Sequence, residues 1–272
     1  MPAVQLARLK RQIDSLAWHF TRPAEFCRGL HELMETYGDL TYRPTPAVKQ
    51  STGKVPSYHV PVVVMRQLEL SAGQWAQENA PAALDLIDAL WQEPMSEPRY
   101  LAAYLLGMLP LDLSPTVTER LQRWARPGEE KEFLQALFKQ GTVMLRRQAA
   151  GIYFNQVRDW LNETDLALKR IGLLAVRPLI EDRSFENLPA VFNAVGPVLQ
   201  AHPGSLKHEL VEVIIALSQR SPTETAYFVR QMAGQNTSPD LLRLLRRCVA
   251  EFPENIRTQL HSLVQTQTNK GY

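Results

Sequence analysis

With 272 residues, the chain is long enough to bury a large core as one or two domains. Its 45% hydrophobic and 21% charged content is that of an ordinary soluble globular protein, and no apolar run of about 18 residues is present to span a membrane. A net charge of only +2 does not by itself argue for a polyanionic partner, and two isolated cysteines, Cys27 and Cys248, exclude a disulfide framework and suit the cytoplasm.

From the N-terminus, MPAVQLARLKRQIDSLAWHF carries basic residues without an uninterrupted apolar core and reads as an amphipathic helix, not a secretory signal. The spacing predicts helices over about 3–20 and 24–37. The stretch YGDLTYRPTPAVKQSTGKVPSYHVP follows, a loop rich in proline, glycine and threonine. A loop of that length is either functional or a surface connection. VPVVV at 60–64 is the one segment open to a strand reading, and it runs directly into the helical MRQLEL. Residues 1–79 therefore read as a helical cap with a Pro/Gly-containing loop at about 38–60, 80–266 as repeats, and 267–272 as a flexible tail.

From residue 80 onward, apolar residues recur every three and four in AALDLIDALW, VTERLQRWA, IYFNQVRDWL, LPAVFNAVGPVL and TAYFVRQM. After a short break, each is followed by a second helical run: EPRYLAAYLLGML, EKEFLQALFKQGTVMLRRQ, DLALKRIGLLAVRPLI, SLKHELVEVIIALSQ and PDLLRLLRRCVAEF. The breaks carry Pro94, Pro115, Pro127, Pro203, Pro222 and Pro239, where helices end or begin. Trp91, Trp124, Trp160, Val198 and Met232 stand 33, 36, 38 and 34 residues apart. A period in the mid-thirties with two helices per unit predicts an all-α fold, a HEAT-like α-solenoid (an α-α superhelix) of roughly five to seven helix pairs. The tetratricopeptide signature of the same length is missing.

The chain has no phosphate-cradling glycine loop, no Gly-x-Ser-x-Gly elbow and no metal-ligand spacing among His19, His31, His59, His202, His208 and His261. Neither a metal nor a cofactor is expected. The basic residues are 22 arginines against eight lysines, a bias that suits phosphate or reflects genomic base composition. The first helices of the pairs (83–92, 115–126, 152–162, 187–199, 223–233) hold five basic and five acidic residues. The second helices (97–109, 130–147, 165–180, 205–220, 239–250) hold thirteen basic against seven acidic. A wall so biased would attract a phosphate backbone through counterion release; the competing reading is a solvated face stitched by ion pairs.

Four stretches carry a resemblance. LIDALWQEPMSEPRYLAAYLLGML holds Leu90-Trp91, Glu97-Pro98-Arg99 and Ala102-Ala103; STGKVPSYHVPVVV holds Gly53 and Pro56. DWLNETDLALKRIGLLAV holds Trp160 and Arg170, and SQRSPTETAYFV a Ser-x-x-x-Pro turn. Over roughly residues 50–230 these resemble, in order and spacing, the AlkD-type DNA alkylation repair family. The resemblance implies a HEAT-like solenoid that excises N3- and N7-alkylated purines and holds double-stranded DNA along its concave wall by the backbone. Family glycosylases use a Trp-Asp-x-x-Asp segment, an arginine and a further tryptophan. Arg170 matches the arginine. LDLSPTVTERLQRWAR has Trp124 but no Trp-Asp-x-x-Asp, and SLKHELVEVIIALSQR has no tryptophan, so no catalytic residue is assigned; Asp112, Glu119 and Asp165 are the acids that would substitute.

Arg99, Arg146, Arg147, Lys169, Arg170, Arg177, Arg243, Arg246 and Arg247 are the candidates for DNA-backbone contact, whereas Trp91 and Trp160 lie on apolar faces and read as core. Three readings remain open: a DNA-binding solenoid without base excision, an active glycosylase with a rearranged site, and a scaffold for a protein partner. None calls for a membrane.

Overall fold

The computed structural model describes residues 4–39, 55–235 and 238–260. The expected tail at 267–272 lies outside them, as does most of the expected loop at 38–60, Gly53 included. Among the described residues every regular element is helical, and no single helix is long and apolar enough to cross a membrane. VPVVV is not a strand: its valines open a helix at Val62.

The chain forms two compact units, Met1–Ala149 and Ala150–Tyr272. The first holds α1 (Leu6–Ala17), α2 (Pro23–Tyr37), α3 (Val62–Glu78), α4 (Ala80–Trp91), α5 (Ser96–Leu106), α6 (Ser114–Trp124), α7 (Lys131–Gln140) and α8 (Val143–Gln148), with a 3-10 turn at Leu111–Leu113. Prolines stand in the first turns of α2, α4 and α6, where a missing N–H costs no hydrogen bond, and the Asn79 side chain caps α4 by accepting from the Ala82 N–H. α1, α3, α5 and α7 pack in succession as one row; α2 packs on α4, and α4 meets α6 through Trp91 and Trp124.

The run EKEFLQALFKQGTVMLRRQ, one helix by its spacing, is two. α7 stops at Gln140 because the end of α5 presses into the break: a Cβ on Gly107 would sit 1.9 Å from the Gln140 carbonyl oxygen. The chain restarts as α8 after Thr142. Buried Arg146 reaches back from α8 to the Phe138 and Lys139 carbonyls, and the Thr142 hydroxyl also donates to Phe138, so the exposed end of α7 is satisfied internally.

The second unit holds α9 (Ala150–Asn162), α10 (Leu166–Glu181), α11 (Leu188–Ala201), α12 (Lys207–Arg220), α13 (Pro222–Gln235) and α14 (Pro239–Val249), with a further helical run at 254–260. α9, α11 and α13 form one row, α10, α12 and α14 the other. The polar break after Trp160 is a tight corner. Asp165 caps α10 by accepting from the Ala167 N–H at 2.8 Å, and Lys169 donates back to the Leu161 carbonyl at 2.8 Å, closing the end of α9. Trp160 is buried beside it, as its place on the apolar face predicts.

Both cysteines are buried and free, and burial pushes each thiol up to about 12; at Cys27 the neighbouring carboxylate of Glu93 adds to the shift. Glu93 also accepts from His31, whose other ring nitrogen meets the Tyr58 hydroxyl at 2.7 Å.

Gly107→Ala is expected to destabilise the protein by about 3 kcal/mol, because the added carbon meets backbone that cannot swing aside. A urea titration comparing midpoints with the wild type measures this, and an unchanged midpoint would show that the α5–α7 contact is looser than described.

Candidate nucleic-acid interface

Arg99 stands in the first turns of α5, facing the ends of three other elements. Its guanidinium carbon lies 3.7 Å from the centroid of Phe133 on α7 and 4.6 Å from that of Trp91, the last residue of α4. Trp91 in turn stacks on Trp124, the last residue of α6, at 4.5 Å and 9°. The two tryptophans are 33 residues apart and occupy the same place in successive helix pairs, which is why they meet. Arg99 closes the arrangement with an ion pair to Glu129 at 2.9 Å, the side chains only 14% and 10% exposed. Desolvated, a guanidinium over aromatic faces contributes about 2 kcal/mol.

This ladder walls a polar cavity of about 710 Å³ that also meets Glu93, Arg123 and Arg126. Arg123 and Arg120 share the Asp88 carboxylate at 2.7 and 2.6 Å. Arg126 is exposed at the rim and has no carboxylate partner among the described residues.

The nine candidate cations divide into three groups. Arg99 pairs with Glu129, Arg170 with Glu209 at 3.1 Å, Arg177 with Glu181 and Glu212 at 2.8 and 3.2 Å, and Arg243 with Asp240 at 3.2 Å. Arg146 and Lys169 cap helix ends through backbone carbonyls. Arg147, Arg246 and Arg247 are exposed on α8 and α14. Glu129 and Glu181, the partners of Arg99 and Arg177, each stand one residue outside the stretches given for the second helices, so neither appears among the seven acids of those stretches. Glu181, Arg177, Glu212 and His208 form a continuous line of polar contacts on α10 and α12, since Glu212 also accepts from His208 at 2.9 Å.

Of the three acids considered as catalytic substitutes, Asp165 is engaged as the cap of α10, while Asp112 and Glu119 are exposed at the 3-10 turn and on α6. The carboxylate beside Arg170 is a different one. Glu209, its side chain only 10% exposed, lies on α12 against the arginine, which also donates to the Ser205 carbonyl. Nothing local in SLKHELVEVIIALSQR marks Glu209, because its place beside Arg170 comes from the packing of α10 on α12.

A family model described as DNA alkylation repair enzyme matches residues 47–250. No curated protein and no solved structure matches the chain. Two of the stretches that carried the resemblance prove to be joined physically. The Pro56 carbonyl accepts from the Ser96 N–H at 3.0 Å, and buried Glu97 accepts from the Ser57 hydroxyl and the His59 N–H at 2.7 and 2.9 Å. A buried carboxylate with such donors pins residues 55–59 to the start of α5.

Removing one member of a buried pair leaves the other charge unpaired. Arg99→Ala is accordingly expected to cost about 3 kcal/mol, and Arg99→Lys should recover little because an ammonium neither forks nor stacks. Arg177→Ala, at an exposed pair, should stay within about 0.5 kcal/mol of wild type. Urea unfolding of the three variants separates the cases; equal losses at Arg99 and Arg177 would contradict the burial described.

Proposed function

The chain belongs to the DNA alkylation repair enzyme family, and on that footing we propose that it binds double-stranded DNA by the phosphate backbone, in the cytoplasm, as part of alkylation repair. The family match across residues 47–250 carries this reading. The HEAT-like form of the repeats is supported by the two rows of helices within each unit. Direct contact falls to the exposed guanidiniums of Arg126, Arg147 and Arg247, because most of the other candidates already have carboxylate or carbonyl partners.

The size of the salt effect tests how many cations take part. Three phosphate contacts give a slope of about −2.7 in log affinity against log salt, or roughly a 40-fold loss from about 50 to about 200 mM. Nine contacts would give a loss of about 10⁵. Fluorescence anisotropy with a short duplex should return the smaller value, and Arg147→Ala or Arg247→Ala should each reduce the slope by about 0.9. Absent or salt-insensitive duplex binding would remove the proposal.

A second reading, retained base excision, is favoured by one observation: the Arg170–Glu209 pair puts a mostly buried carboxylate against the arginine that matches the family's. A carboxylate there would stabilise the cationic sugar as the glycosidic bond breaks. On this reading methylated duplex releases free alkylated base and Glu209→Gln abolishes the release. No release from folded wild-type protein eliminates excision and leaves the binding proposal standing.

A further inference from the structure

The second unit carries a groove that a nucleic-acid role does not use. It lies between α11 and α13, encloses about 580 Å³, and is lined on α11 from Pro189 to Gln200 and on α13 from Thr223 to Gln235. Eleven residues of α-helix rise about 16 Å, so the groove is a trough that matches about five residues of extended chain. A compact metabolite would engage one or two turns; here three turns of each helix border the space.

The residue types say what fits. The floor is apolar, with the Phe192 and Phe228 rings 5.0 Å apart. Gly196 keeps it deep, since even a Cβ there would first meet the Phe228 ring at 3.6 Å. Pro197 has no N–H to donate within α11, which leaves the Asn193 carbonyl without its helical donor beside the groove. The side chains of Asn193 and Gln231 add amides, which both donate and accept and so suit the alternating N–H and C=O groups of an extended backbone. Tyr227 stands at the rim, 70% exposed, an aromatic ring ready to cover a ligand. Among the described residues Glu224 is the one charged side chain in the lining, and no lysine or arginine joins it. Such a surface repels phosphate and attracts a cation.

We propose that this groove binds an extended segment of a partner protein, about five residues long, which sets an apolar side chain on the Phe192–Phe228 floor and an arginine or lysine against Glu224. The site is independent of DNA contact and makes the chain an adaptor as well.

An immobilised positional-scanning library of seven-residue peptides, probed with the full chain, tests this. The expected result is enrichment of one basic position at a fixed distance from one apolar position. A peptide synthesised to that pattern should bind at least about tenfold more weakly to Tyr227→Ala, and Glu224→Gln should lose the basic preference. Both residues are exposed, so the variants should keep wild-type helicity, and duplex binding should be unchanged. No enrichment, enrichment of acidic peptides, or wild-type affinity in both variants overturns the proposal. Loss of duplex binding in Tyr227→Ala also overturns it, by assigning the groove to nucleic acid.

Discussion

The Arg99 guanidinium is held almost out of water, and much of the first unit depends on how it is satisfied there. Phe133 and Trp91 cover it, Glu129 neutralises it, and Trp91 passes the contact on to Trp124. One side chain thereby ties together α4, α5, α7 and the segment before α7, and through Trp91 it reaches α6, which Asp88 also joins to α4 through Arg120 and Arg123. A charge placed so deep is a poor ligand for a phosphate. Arginine near the start of a basic helix invites a DNA-contact reading; the neighbours of this one are drawn from two other helices and the segment before α7.

Other arginines, on first and second helices alike, are also met from another helix. Charge compensation is usually sought one helical turn away, and few acids stand there. In a stack of helix pairs the nearest neighbour of a side chain is one repeat away instead. Arg120 and Arg123 reach Asp88 across 32 and 35 residues, Arg177 reaches Glu212 across 35, and Arg170 reaches the Ser205 carbonyl across 35. The tryptophan spacing already gave that period. Opposite charges at the repeat distance, not at one turn, are therefore the signal of these pairs in the sequence.

The helix pairs themselves were legible. Apolar residues every three and four, with prolines such as Pro115, Pro222 and Pro239 at helix starts, mark the elements because local geometry alone requires that pattern. The division between α7 and α8 was not, because Gly141 and Thr142 interrupt an apolar rhythm only slightly and the break is imposed by Gly107 from another helix. Glu209 was hidden for a related reason: its proximity to Arg170 is set by packing of α10 on α12, not by any local motif. The joined Glu97 and Pro56 segments show the converse, two weak motifs that are one piece of structure.

The two buried thiols have a chemical consequence for a member of this family. With pKa values pushed to about 12, each cysteine is a thiolate for only about one part in 10⁵ at neutral pH, and methylating electrophiles react with thiolates. Neither cysteine of this chain offers such a reagent a ready thiolate, so both should be slow to methylate while the fold is intact.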